Sequence, residues 1–258
     1  AQSKMKQTPL PWLLSLAASS TAFSPTPANR HQFSPGDGST RLHFFEGLDK
    51  AFEDTGPLGK GITVGKVQVA LAVSGAERTS ADSIFAVMEK HARNTDDVVS
   101  SYDDDYDEGY GDSHLSKMCH EICLALLRKS DNWISACSDS EWFKEQDMGK
   151  AESVYNLWAD REACKFEKEY IPPKGAAADG TATVAVVSLI VEIQGDETSF
   201  ERAGFSLAET KSVLTSLASD CRVEGGDCLN AFEVFWTPSE PTEVLSERET
   251  IFDFPELM

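Results

Sequence analysis

The sequence predicts an α+β fold: a small, mainly antiparallel sheet of about three strands covered by helices, in the order β-α-α-α-β-α-β-α. Three observations predict it. The runs "GITVGKVQVALAVSG", "TATVAVVSLIVEIQ" and "CLNAFEVFWTP" are rich in the β-branched and aromatic residues that suit a pleated surface. Between them, apolar residues recur three or four positions apart, which is the helical period. Ser-x-x-Glu sequences, the mark of a helix N-terminus, precede several of those stretches.

Each element follows in order. "HFFEGLDKAFED" (43–54) puts Phe44, Phe45, Leu48 and Phe52 on one side of a short helix, which Gly56, Pro57, Gly59 and Gly61 then break. In the first strand Val67, Val69, Leu71 and Val73 alternate with Lys66, Gln68, Ala70 and Ala72, so one face is well buried. "ERTSADSIFAVMEKHAR" is a helix with Ile84, Val87, Met88 and His91 inward, and "DSHLSKMCHEICLALLRK" a second built on Leu115, Ile122 and Leu126. "SDSEWF" reads as the opening of a third helix, with Ser138 and Glu141 as its capping box, and "KAESVYNLWADREACKFEKEYI" continues it to Pro172 and Pro173. "TATVAVVSLIVEIQ" is apolar on both faces, as a central strand should be, and too short and β-branched to span a bilayer. Ser206 and Glu209 cap the next helix. In the last strand Phe232, Val234 and Trp236 point one way and Glu233 and Phe235 the other, until Pro238 ends the ladder. Ser246 and Glu249 then cap a short final helix, "VLSERETIFDF".

Ahead of the domain the N-terminus reads as an address. Met5 fits as an initiator. Lys4 and Lys6 precede a short apolar run from Leu10 to Ala18, with Ser20 and Ala22 before a cleavage point, so residues 1–22 read as a signal peptide region. Residues 23–42 are rich in Ser, Pro and Arg and hold no acidic residue before Asp37, which is transit-peptide composition. Such a bipartite leader beginning with Phe resembles the presequences of algae with secondary plastids; a secreted protein with a Pro-rich linker is the alternative. Residues 43–258 form one globular domain.

Charge narrows the partners. The 258 residues carry a formal charge of −20. That argues against nucleic acid and repels anionic bilayers, while favouring basic partners.

Four pieces, in order, carry a family resemblance: "VGKVQVALAVS", "LALLRKSDNWISACSDSEWF", "YNLWADREACKFEKEY", and the closing "EVFWTP", "LSERE" and "FPEL". The chain resembles the DUF1517 family of cyanobacterial and chloroplast proteins, to which the fluctuating-light-acclimation proteins belong, from about residue 60. Glu233, Trp236, Thr237, Pro238, Ser246, Glu247, Arg248, Glu249 and Pro255 are the signature residues. Arg161 precedes Glu162, a departure from the family's Glu-Arg-like helix. The resemblance implies a plastid protein tied to thylakoid or envelope membranes, tuning proton balance and non-photochemical quenching through protein partners. It carries no catalytic residues. Many relatives have membrane spans ahead of the domain; this chain after its leader has no run long enough, so peripheral attachment or a soluble stromal form is expected.

Other constellations are weaker. His114, Cys119, His120 and Cys123 invite a zinc site, but there is no Cys-x-x-Cys or second ligand pair, and small cysteines fill cores. Cys119/Cys123 and Cys221/Cys228 are candidate redox pairs, the latter flanking a Gly-rich reversal. The six carboxylates between Asp103 and Asp112 suggest calcium, yet Glu108 stands where an EF-hand needs Gly and His114 where it needs Glu. Gly59-Lys60 and Gly65-Lys66 lack phosphate-loop spacing. The expectation is a non-enzymatic plastid regulator with no cofactor or metal, acting on membrane-protein partners. A thiol-redox factor or enzyme using a cysteine pair, or a peripheral subunit of a photosynthetic complex, are the alternatives.

Overall fold

A computed structural model describes residues 55–100, 114–166, 180–240 and 242–257. The leader, the helix expected over 43–54, the acidic loop at 103–112 and the stop at Pro172 and Pro173 lie outside the described residues.

β1 (Ile62–Val73) opens the domain and is followed by α1 (Gly75–Arg78), α2 (Ile84–Ser100) and α3 (His114–Arg128). Then come β2 (Trp133–Phe143), α4 (Met148–Ala163), β3 (Thr183–Gln194), α5 (Leu207–Asp220), β4 (Leu229–Thr237) and α6 (Glu247–Asp253). The strands form one antiparallel sheet in the order β2-β1-β3-β4. β1 and β3 run alongside each other for their whole length, from Ile62↔Gln194 to Val73↔Thr183. The β3–β4 ladder ends at Val186↔Thr237, the residue before Pro238, because a proline has no N–H to extend it.

The sheet has four strands rather than three, and the extra one is the segment expected to open a helix. Residues 133–143 pair with β1 from Ile62↔Phe143 to Leu71↔Trp133, and Ser138 and Glu141 lie within that strand, with α4 starting only at Met148. The local Ser-x-x-Glu pattern was overruled by a ladder of backbone hydrogen bonds to a strand some seventy residues away. The middle of β2, from Ser138 to Glu141, is polar on both sides, so the strand lacks the continuous apolar alternation that marks its partners.

One face of the sheet packs on α2, α3 and α5. Val67, Val69, Leu71 and Val73 of β1 meet Val187, Leu189 and Val191 of β3, with Ile122 and Leu126 of α3 and Leu214 and Leu217 of α5 above them. Each such side chain, once buried, contributes roughly 1.5–3 kcal/mol. Gly65 lets the Phe200 ring lie on β1: a Cβ there would stand 2.3 Å from the ring. The opposite face is covered by α4 and by the C-terminal segment. Ile62, Val64 and Ile190 pack on Tyr155 and Ala159 of α4, while Ala70, Val184 and Val186 pack on Phe254 and Leu257. Among the described residues no helix is long and apolar enough to cross a membrane.

Candidate functional site

The second face carries the features that sequence periodicity did not reveal. On β1, Lys66 and Gln68 alternate with the valines of the well-buried face, yet Gln68 is itself fully buried. The reason is Glu162, near the end of α4, whose carboxylate is buried over the strand. It accepts from four donors: the Lys66 ammonium, Lys165 Nζ at 3.0 Å, Gln68 Nε2 at 3.2 Å and Ser188 Oγ at 3.1 Å. Gln68 Nε2 also donates to Ser188 Oγ at 2.6 Å, and the Cys137 thiol of β2 lies 3.7 Å from Gln68 Oε1. Glu256 completes the cluster from the C-terminal turn, taking Lys66 Nζ at 3.3 Å and the Lys165 ammonium. Lys165 in turn stands 4.7 Å from the centre of the Phe254 ring. Three strands, α4 and the closing turn are thereby tied into one polar latch.

Its electrostatics are those of a charged, satisfied network. Burial works against the Lys66 ammonium, but the carboxylates of Glu162 and Glu256 outweigh it and hold its pKa above the usual lysine value. Burial likewise opposes the Glu256 carboxylate, and its bonds to Lys165 and its own backbone overcome that, leaving its pKa lowered. Burial pushes the Cys137 thiol up to about 11, so it is protonated at neutral pH and a poor nucleophile. Further along the same face, burial raises Glu192, which accepts from Asn230 Nδ2 at 3.1 Å, and Glu233, which is hydrogen-bonded to Tyr155. The latch positions; every donor and acceptor at Glu162 is spoken for.

The signature residues fall on β4 and on the C-terminal segment that supplies Glu256 to the latch. Glu233 projects from β4 toward Tyr155, while Trp236 packs at the margin of the main core. Thr237 pairs with Val186, and the Thr237–Pro238 peptide is cis. The buried Arg78 guanidinium holds the strap that follows, donating to the carbonyls of Thr181 at 3.3 Å, Glu240 at 3.1 Å and Glu243 at 2.5 Å. Ser246 and Glu249 form a reciprocal capping box at α6, as their spacing indicated. The Arg248 guanidinium sits 5.8 Å from the Phe252 ring centre, and Pro255 begins the turn that delivers Glu256.

Beside the latch lies a groove of about 400 Å³, measured with its open mouth. Ile134 and Ser135 of β2 form one wall, and Thr250 and Ile251 of α6 the other. Val184, Phe254 and Leu257 also line it, together with Glu247. Ile134 and Ile251 are 46% and 49% exposed, which is high for aliphatic side chains facing a shared cleft.

The candidate redox cysteines sit on the other side of the sheet. Cys119, Cys123, Cys221 and Cys228 are free and buried. Burial raises the Cys119 pKa well above the usual thiol value, and the neighbouring Cys123 and Cys221 thiols add to the rise, so Cys221 of α5's C-terminal end is nearer to α3 than the Cys221/Cys228 pairing supposed. Cys228 stands in the turn before β4, and its pKa is also raised by burial. His120 Nδ1 donates to the Ala218 carbonyl at 2.7 Å instead of turning toward the thiols. Among the described residues no three His, Cys, Asp or Glu side chains are grouped to hold a metal ion. The residues missed by sequence reasoning are Gln68, Ser188, Glu162, Lys165 and Glu256; a serine inside a strand otherwise apolar on both faces was the available signal.

A four-stranded antiparallel sheet, helices on both faces and a C-terminus latched to the sheet centre define a family domain. The chain belongs to the DUF1517 family, described as a protein of unknown function, whose model matches residues 61–258. The chain is also similar to a curated relative, Protein FLAP1 homolog A of the cyanobacterium Synechocystis sp. (strain ATCC 27184 / PCC 6803 / Kazusa), at 26% identity over 161 residues. That match covers 55% of this chain and 45% of the relative, so the chain spans less than half the relative's length. No solved structure matches.

Proposed function

We propose that this chain is a non-enzymatic plastid protein of light acclimation, held at thylakoid or envelope membranes by protein partners. There it tunes proton balance and non-photochemical quenching as light changes. The observation that carries the reading is the fate of the family signature. Ser246 and Glu249 are consumed in capping and Thr237 in the ladder, while Trp236 packs at the core margin. These residues build and fix a surface; they do not converge on a reaction centre. The leader reading extends this, with residues 1–22 and 23–42 as a bipartite presequence and the remainder as the working domain. Affinity purification of residues 43–258 from illuminated photosynthetic membranes tests it. Specific membrane-protein partners are expected, and a strain lacking the protein should show altered quenching when light fluctuates. Recovery of no membrane protein, with unchanged quenching, overturns the proposal, and a fusion of residues 5–45 found outside the plastid overturns the address.

One observation favours a second reading, a thiol-switched factor: Cys119 of α3 and Cys221 at the end of α5 are buried in the same apolar core. Thiol trapping in light and dark distinguishes it, since cysteines that never change state eliminate the switch. The raised pKa of Cys119 disfavours rapid oxidation in the closed fold.

A further inference from the structure

The groove between β2 and α6 is apolar inside and acidic outside, and that combination specifies an occupant. Its lining offers Ile134, Val184, Ile251, Phe254 and Leu257. Ile134 and Ile251 are only half covered, while Phe252, the next residue of α6, is 71% exposed. Glu247 stands at the mouth, and Glu240, Glu243 and Asp253 project from the same C-terminal segment into solvent. None of these four carboxylates is ion-paired with another described residue. The cation within α6, Arg248, is engaged over the Phe252 ring. Unlike the carboxylates of the latch, these face water with no cation paired to them among the described residues.

We propose that this groove is the docking site for a short apolar segment of a partner protein flanked by lysine or arginine. An aliphatic or aromatic side chain enters between Ile134 and Ile251, and the flanking cations meet Glu247 at the mouth and Asp253 of the same helix. Charge disfavours two other occupants. A second copy of the chain brings the same acidic rim, and like charges brought together oppose association. An anionic bilayer is repelled by the same rim and by a net charge of −20. A basic apolar peptide gains from both parts of the surface, the charges steering its approach and the groove holding it. The fold prepares the site for this. The latch ties Phe254 and Leu257 to the sheet through Glu256, the capping box starts α6, and Arg78 holds the strap, so the α6 wall is positioned before anything binds.

The proposal rests on the partner-binding reading and supplies its contact surface. The test uses the full chain and a short synthetic peptide with leucine and tryptophan at its centre and lysines at both ends. Binding is followed by amide chemical shifts and fluorescence anisotropy. Shifts are expected around Ile134, Thr250, Ile251 and Leu257, with affinity falling about tenfold or more at high salt as screening removes the rim's contribution. The same peptide with glutamates in place of lysines should not bind. Ile251→Asp should abolish binding, and Glu247→Lys with Asp253→Lys, confined to exposed positions, should weaken it about tenfold if the first variant fails to fold.

Shifts centred elsewhere, equal binding of the glutamate peptide, concentration-dependent dimerisation through Ile251, or binding to anionic vesicles through it would each overturn the proposal. If the domain still captures the same membrane proteins with Ile251→Asp, the groove is wrong while the function stands. If the groove binds the peptide but the domain recovers no membrane protein, the function fails alone.

Discussion

The two faces of the sheet are made from the same strands, read at alternate residues, yet they are stabilised in different ways. Toward α3 and α5 the contacts are apolar: Val67, Leu71, Leu189 and Phe232 meet Ile122 and Leu214. Toward α4 and the C-terminus, apolar ends flank a charged centre, with Lys66, Gln68, Ser188 and Glu162 under the Glu256 carboxylate. The first arrangement tolerates small adjustments, because dispersion and hydrophobic burial are not directional. The second is directional and holds several segments in one geometry, which is what a surface that must present fixed walls requires. The difference teaches that two equally buried faces can differ in whether their stabilisation fixes a geometry.

The largest expected effect comes from breaking the polar face. Glu162→Ala removes the buried acceptor shared by Lys66, Lys165, Gln68 and Ser188, leaving Glu256 alone to face both ammonium groups, and should cost about 3–5 kcal/mol in urea unfolding. Glu162→Met combined with Lys66→Met should cost less than Glu162→Ala, since no buried charge is stranded. On the apolar face, Leu189→Ala should cost about 2–5 kcal/mol without changing the position of the C-terminal segment. If both faces responded identically in local hydrogen exchange at α6, the contrast between them would be lost.

The next test is pH. Lys66 is held above its ordinary 10.5, so its stabilisation is present below that value and lost as pH rises through the folded pKa. Glu256 is held below its ordinary 4.5, so its contribution is present above that value and lost as pH falls through the folded pKa. Glu192 and Glu233 run the opposite way: raised by burial, they favour the fold at acid pH and lose that contribution as pH rises through their folded values. Unfolding curves for Lys66→Met and Glu256→Gln against the parent should separate these terms. The Lys66 difference should shrink at alkaline pH and the Glu256 difference at acid pH. The smallest effect is Ser246→Ala, which removes one side of the α6 capping box and should cost about 1 kcal/mol in thermal unfolding.

The apolar face was legible in the sequence. Period-two alternation gave β1, the doubly apolar run gave β3, and the sides assigned to Phe232, Val234 and Trp236 against Phe235 are those observed. The caps at Ser206 and Ser246 were legible too, because their partners are three residues away. What was not legible depends on distant partners. β2 is interrupted by the polar run Ser138–Glu141, so no alternation announces it, and β1 supplies the ladder that makes it a strand. Lys66 and Gln68 look like the wet side of a strand until Glu162, nearly a hundred residues on, is placed above them. The same holds for Cys221, whose approach to Cys119 follows from how α5 lies on α3, while the Cys119–Cys123 spacing was visible as one helical turn.

The loop between β3 and α5 has a bearing on how this protein behaves when crowded. Gly204, in a left-handed conformation, lies so close to Ala136 that a Cβ would stand 2.0 Å from its carbonyl oxygen, and Ser138 Oγ donates to the carbonyl of Phe200. The loop therefore occupies the middle of a strand border that would otherwise template the addition of another chain, while Asp139 and Glu141 add like charge to the stretch beyond. Copies held side by side at high local concentration are thus kept from zipping into fibrils along β2.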